Sequence, residues 1–233
     1  MPALITEEIS DGPDTVDALR EAIAAILKVE SENQVQLKRL AGKQKESDEW
    51  RLRVFTNRSS PWEQFSDAPQ DERFVDDRSP LVHVGFSTDT VFGNRGDLIK
   101  TQVTSATFWL DCYGCGAPRG TGGGHIPGDY SAWQESSRAC RNVRRILMSA
   151  HYLHLGMRGI VGKRTWSGRE RLDVPIGERG AQHIACTRLS FVVDFSESAT
   201  PQHVPSALQT IFTEVRRDTL DGEVLLTAEF SLS

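Results

Sequence analysis

Cys112-Tyr-Gly-Cys115 is the one C-x-x-C in the sequence, and it offers two chemistries. As a metal site it would need about four soft or imidazole ligands. A second C-x-x-C is absent, Cys140 and Cys186 stand alone, and His125 would complete only a third position. As a redox pair it would need a helix N-terminus to lower a thiol pKa. Fifteen residues separate Cys115 from the first strong helix signal after it. The cysteines therefore read as strand-end and core thiols, the usual state of cysteine in a reducing compartment.

Two further groups invite the same test. His151-Tyr-Leu-His154 spaces two imidazoles one helical turn apart, but without H-E-x-x-H they suit a helix C-terminus better than a metal. The glycine-rich run from Gly116 to Gly124 leaves a strand and enters a helix, as phosphate-binding loops do. It fits neither G-x-x-x-x-G-K-[ST], having no lysine, nor G-x-G-x-x-G, whose last glycine would fall on His125 or Pro127. No G-x-S-x-G elbow and no carboxylate pair spaced for acid–base work is found. The sequence calls for no catalytic residue, no metal and no cofactor, and the expected class is non-enzymatic.

Charge is more informative. The 233 residues carry a net charge of −5, yet Arg138–Arg188 alone holds eleven Arg and Lys against three acids. That belt is +8 on a remainder of −13, which suits an acidic partner or a second copy better than nucleic acid. Within it Arg158, Arg164, Trp166, Arg169, Arg171 and Arg179 are the expected oligomer interface, with Trp166 as aromatic anchor. No run approaches the roughly 18 apolar residues of a membrane span. Met1–Asp17 has acids and no apolar h-region, so the chain is expected in the cytoplasm when made.

The elements that must position these groups follow from periodicity. Residues 1–13 read as an acidic N-terminal arm. Val16, Leu19, Ile23, Ile26 and Leu27 make a helical stripe starting near Asp14 or Thr15 and running on, exposed, towards Leu40. Trp50–Asn57 alternates as a half-buried strand, 58–80 is a long loop, and Leu81–Thr88 and Ile99–Tyr113 are further strands. Gly114–Gly128 reads as a connector. Ser131 and Gln134 have capping-box spacing at the start of the main helix, whose inner stripe is Ala132, Ser136, Ala139, Val143, Ile146, Leu147, Ala150 and Leu153, with Gly156 as its stop. Arg158–Trp166 is a strand, Ser167-Gly168 a turn, and 167–182 a projecting arm. His183–Phe195 alternates strongly. Asp221-Gly222 centres a hairpin over 205–233. The expected fold is α+β: a single domain over 1–233 with a mixed or antiparallel sheet, two main helices, long loops and a C-terminal β-hairpin.

Certain stretches, taken in chain order, carry a resemblance. After the amphipathic helix come Arg51-Leu-Arg-Val-Phe-Thr-Asn57, Arg58-Ser-Ser-Pro61-Trp62-Glu63 and Ala106-Thr-Phe-Trp-Leu-Asp-Cys-Tyr113. Gly123-Gly-His-Ile-Pro-Gly-Asp129, Ala139-Cys-Arg-Asn-Val-Arg-Arg-Ile-Leu-Met148, Leu155-Gly-Met-Arg-Gly-Ile160, Trp166 and Arg188-Leu-Ser-Phe-Val-Val-Asp-Phe195 complete the series. Over residues 14–200 this resembles the tail-terminator and related neck proteins of myophage-like bacteriophages. The resemblance implies a small α+β subunit that closes into a hexameric ring, stops tail-tube polymerisation and joins the tail to the head. Its partners would be copies of itself, the tail tube protein, the sheath protein if the tail contracts, and the head-side connector, with genomic DNA passing through the lumen unread. Its place would be the virion, after assembly in the host cytoplasm. Another neck role (head completion, stopper or collar) and a Cys112/Cys115 zinc or redox protein are the alternatives.

Overall fold

The computed structural model describes residues 14–66, 79–92, 101–116, 119–121, 124–126, 128–174, 183–198, 210–216 and 224–231. Two compact units emerge, Asp11–Ala199 and a smaller one of Met1–Ser10 with Thr200–Ser233. The larger is an α+β domain built on a mixed five-stranded sheet, in the order β1-β2-β3-β7-β6. Its strands are β1 (Arg53–Thr56), β2 (Leu81–Phe92), β3 (Thr101–Gly116), β6 (Val161–Leu172) and β7 (His183–Ser198). β1 runs parallel to β2, and every other pairing is antiparallel.

Both main helices lie on one face of the sheet. α1 (Thr15–Leu40) buries Val16, Leu19, Ile23 and Leu27, then Ser31 and Val35, an unbroken i, i+3/i+4 stripe that carries the helix through its polar half. Lys38 and Arg39 sit in its last turn, where cations suit the helix dipole, and Gly42 at φ 71° reverses the chain. α2 (Gln44–Asp48) and α3 (Glu63–Ser66) are single turns. α4 (Gly128–Leu147) buries Ala132, Ser136, Ala139, Cys140, Val143, Ile146 and Leu147. These meet alternate residues of β3 (Ala106, Phe108, Leu110, Cys112) and of β7 (Leu189, Phe191, Val193, Phe195) in one core. The opposite sheet face carries a smaller cluster of Phe65, Leu81, Tyr113, Cys115 and Cys186, flanked by Trp62 and Phe55.

The long connection expected at Gly114–Gly128 is shorter than its glycine content suggests. Gly114 and Gly116 are the last residues of β3 on the helical face, and α4 lies directly upon them. β4 (Arg119–Thr121) and β5 (Gly124–Ile126) form a small antiparallel ladder. α4 therefore starts at Gly128, three residues before Ser131, with Asp129 in its first turn and in contact with His183. It ends at Leu147, so Ala150 and Leu153 fall outside the stripe and are exposed. The chain turns instead at Leu155 and Gly156, both at positive φ.

The region after Trp166 also differs from expectation. Ser167-Gly168 is not a turn. It is a bulge in β6, which continues along β7 as far as Leu172. Over 167–172 the projecting arm is thus an edge strand, and 175–182 lies outside the described residues. The loop of 58–80 holds α3, and its stretch 67–78 is likewise outside them, as are 1–13. In the second unit β8 (Thr210–Arg216) and β9 (Val224–Ser231) form the expected antiparallel hairpin ladder, while Asp221-Gly222 is not among the described residues. Among the described residues no helix is long and apolar enough to cross a membrane.

Candidate interaction surface

The residues first considered for chemistry are held apart. Cys112 and Cys115 are three apart on one strand, so their thiols leave opposite faces of the sheet. Cys112 joins the helical core and Cys115 the smaller cluster behind it. Two such thiols cannot ligate one ion. Cys112 is instead fully buried, its thiol donating to the Leu110 carbonyl at 3.7 Å, and the neighbouring Cys140 thiol and burial together push its pKa well up, the reverse of a reactive thiol. His154 Nδ1 is satisfied by the Val161 carbonyl at 2.8 Å, and His151 is exposed in the 3-10 turn beyond α4. No group of three or more metal-ligating side chains occurs among the described residues.

What tertiary structure does assemble is a polar row across the face opposite the helices. The ladder aligns His83, Asp111, Arg188 and Glu170 on β2, β3, β7 and β6. Arg188 grips Asp111 with two bonds, Nε at 2.7 Å and Nη2 at 2.8 Å. Its guanidinium also stacks over Trp109 at 3.9 Å. Asp111 is only 6% exposed, so the fork is what makes its charge tolerable there, and the same hydrogen bond raises the Arg188 pKa. Trp62, Tyr113, Leu172 and Cys186 wall a groove of about 410 Å³ above this pair.

His83 lies in that groove, and its Nε2 accepts the Arg58 amide N–H at 3.3 Å, a role open only to the neutral ring. Burial lowers its pKa, opposed by Asp111 and reinforced by Arg188 and Arg20. The folded state therefore holds this proton less tightly than the unfolded chain. His83 favours folding above the ordinary histidine value of about 6.5, and the contribution is lost as pH falls through that value towards the lowered one. We expect urea stability to decline from pH 7.5 to 5.5, and His83→Gln to show a shallower decline. Parallel pH curves for the two proteins would refute the assignment.

The basic belt divides into spent and unspent charges. Arg164 faces inward and caps α4, donating through Nη1 to the Leu147 and Tyr152 carbonyls and through Nη2 to Ser149 O at 2.8 Å. Arg138 pairs with Glu135 and reaches the Asp48 carbonyl. Arg171 stacks over Trp133 at 4.1 Å. Arg158 is exposed in the turn before β6, and Arg179 lies outside the described residues. Trp166 is not a projecting anchor. It is half-buried against the main core, its ring 4.6 Å from that of Phe191 and its indole N–H buried without a partner among the described residues. Trp166→Ala should therefore cost the subunit about 2–3 kcal/mol in urea unfolding. Trp166→Phe should cost less, since it removes the orphaned N–H along with part of the ring. An unchanged unfolding midpoint for Trp166→Ala would return the residue to the surface.

The unspent charges converge. Arg141, Arg144 and Arg145 on the outer face of α4, with Arg169 of β6, line a cleft of about 400 Å³ together with Ser137, Cys140 and Met148. All four of these arginines are exposed and form no ion pair with another described residue, and Arg144 also lies over the Trp166 ring at 6.0 Å. Of these only Arg169 was among the interface residues expected from sequence. The i, i+3, i+4 spacing of Arg141, Arg144 and Arg145 marks a common helix face, but nothing local reveals that β6 brings Arg169 alongside. No protein-family model and no curated protein matches this chain.

Proposed function

We propose that the protein is a structural subunit that binds copies of itself head-to-tail in a ring, serving as the terminator or another neck component of a tailed bacteriophage. The carrying observation is that the sheet ends in two unlike edges. β6 is a twelve-residue outer strand, exposed at Gly162, Lys163, Thr165 and from Ser167 to Arg171. β1, at the far edge, is four residues long and parallel. An edge strand offers unpaired N–H and C=O groups to another chain. Unlike edges favour a contact between two different patches, and repetition of such a contact generates a ring or a filament. The chain-order resemblance to tail-terminator and neck proteins adds the setting: tube, sheath and head connector as neighbours, and DNA in the lumen. This role requires no catalytic group.

Native mass spectrometry and negative-stain imaging of the purified protein test it, with closed rings as the expected result. A monomer at every concentration, with a turnover abolished by one substitution, would overturn it. Particles made without the protein separate the neck roles, because loss of a terminator yields tubes of uncontrolled length.

A further inference from the structure

We infer that the four-arginine cleft of one copy receives the Asp17 and Glu21 carboxylates of the next, an inference that rests on the head-to-tail reading above and names the surfaces that meet. Strand direction makes the junction possible. β1 is parallel to β2, and the three antiparallel pairings that follow across the sheet leave β6 antiparallel to β1. A neighbour placed head-to-tail is not turned over, so its β1 arrives antiparallel to β6, as in a continuous sheet. Among the described residues neither strand has a partner on its outer side. Both copies then carry their helices on the same face.

Helix spacing decides what can meet there. Within one chain α1 rests on β1 and β2, and α4 on β3 and β7. They are two strand spacings apart, about 10 Å, the distance at which helices pack directly. Across the joined edges, α4 of one copy and α1 of the next are three spacings apart, about 14 Å. Apolar side chains leave a gap at that distance, whereas an arginine extended towards a carboxylate fills it. The facing flanks hold those groups. Arg144 leans over β6 at the Trp166 ring, and with Arg141, Arg145 and Arg169 it lines a cleft that contains no acid. On α1 the Glu21 carboxylate accepts a hydrogen bond from the Thr56 hydroxyl of β1 at 3.4 Å. Glu21 and Asp17, one turn earlier, therefore lie on the flank towards the β1 edge. Arg20 pairs with Asp17 at 3.0 Å and Glu21 at 3.5 Å, and neutralises one charge. Asp14, exposed one turn further back, brings the patch to −2, and Lys28 follows only two turns after Glu21. Carboxylates match the planar forks of arginine. Nucleic acid is disfavoured as occupant because the rest of the chain carries strong negative charge.

Charge reversal tests this on the full-length chain, with a thermal melt for every variant. Arg144→Glu with Arg169→Glu is expected to weaken self-association at least about tenfold, and Asp17→Lys with Glu21→Lys to do the same. Carrying all four substitutions in one chain restores association. So does mixing the two defective proteins, whose copies then assemble in equal numbers by native mass spectrometry. Where a reversal lowers the melt, Arg144→Gln with Arg169→Gln and Asp17→Asn with Glu21→Gln replace it. Each neutral pair should weaken association about threefold, and the two combined by less than the product. If the arginine variants assemble like the wild type, or the two defects do not compensate, the cleft inference fails while the ring reading stands. A wild type that never self-associates removes both. Steeply salt-dependent binding of a 30-base-pair duplex, lost in the arginine variant with self-association intact, reassigns the cleft to phosphate.

Discussion

Gly114→Ala is expected to abolish the folded subunit. A Cβ at this position would sit 2.3 Å from the Ala132 carbonyl oxygen and 2.4 Å from the Ser136 nitrogen, both backbone atoms of α4. No rotamer change relieves contacts with a main chain. The helix must instead lift off β3, which breaks the Ser136 hydroxyl contacts, each 2.9 Å, with the Cys112 carbonyl and the Thr187 hydroxyl. Lifting α4 also opens the core at Ala132 and Ala139. Overpacking alone costs about 1–3 kcal/mol when side chains can adjust, and here the first two turns of a helix must move, so about 4 kcal/mol or more is expected. That is a large share of the roughly 5–15 kcal/mol that holds an ordinary domain folded. Gly114 has no positive φ, so the loss would come from collision alone. Gly85→Ala is the control. Its Cβ would meet nothing nearer than the His83 ring at 3.5 Å, and the variant should remain folded. Circular dichroism and thermal melts decide between them, and a Gly114→Ala protein melting with the wild type would show that α4 does not rest on β3 as described.

Val143→Asp is the second large effect. Val143 has no exposed surface and lies in the main core formed by α1, α4 and the sheet. An aspartate there has no cation to meet, and a carboxylate buried without a partner takes a proton or unfolds the protein; at neutral pH the cost is about 4–5 kcal/mol or more. The same charge on the outer face of the same helix should cost little. Arg145→Asp is expected to unfold within about 0.5 kcal/mol of the wild type, while changing the sign of one wall of the arginine cleft. Urea curves for the two variants thus read the two faces of α4 separately. Equal stability losses would mean that α4 is enclosed on both sides.

Much of the framework was legible because burial writes a period into the chain. α1, α4, β3 and β7 each have one dry face, and their stripes of Leu, Ile, Val and Phe recur at 3.6 or 2 residues. β6 escaped in part for the complementary reason. Both its faces are largely wet beyond Val161 and Trp166, and its two bulges break alternation, so Ser167-Gly168 has local turn chemistry that pairing with β7 overrides. The start of α4 was misplaced because Ser131 has the better capping side chain, whereas the actual boundary follows the fit of Gly128 against His183 and of Asp129 beside it.

The candidate surfaces were less legible than the fold. Sequence alone established that positive charge is concentrated in Arg138–Arg188, and that a folded α+β chain with two helical stripes and long alternating strands would carry it. It could not distinguish an arginine that caps a helix, as Arg164 does, from one left facing solvent, as Arg145 is, because charge and composition are identical in both. That distinction depends on partners distant along the chain: Asp111 lies 77 residues before Arg188, and the carbonyls that hold Arg164 close a loop of 12–17 residues. Periodicity reports only whether a side chain is dry. Where its hydrogen bonds are directed, and hence which charges remain for another molecule, was decided when the sheet register brought β2, β3, β7 and β6 side by side.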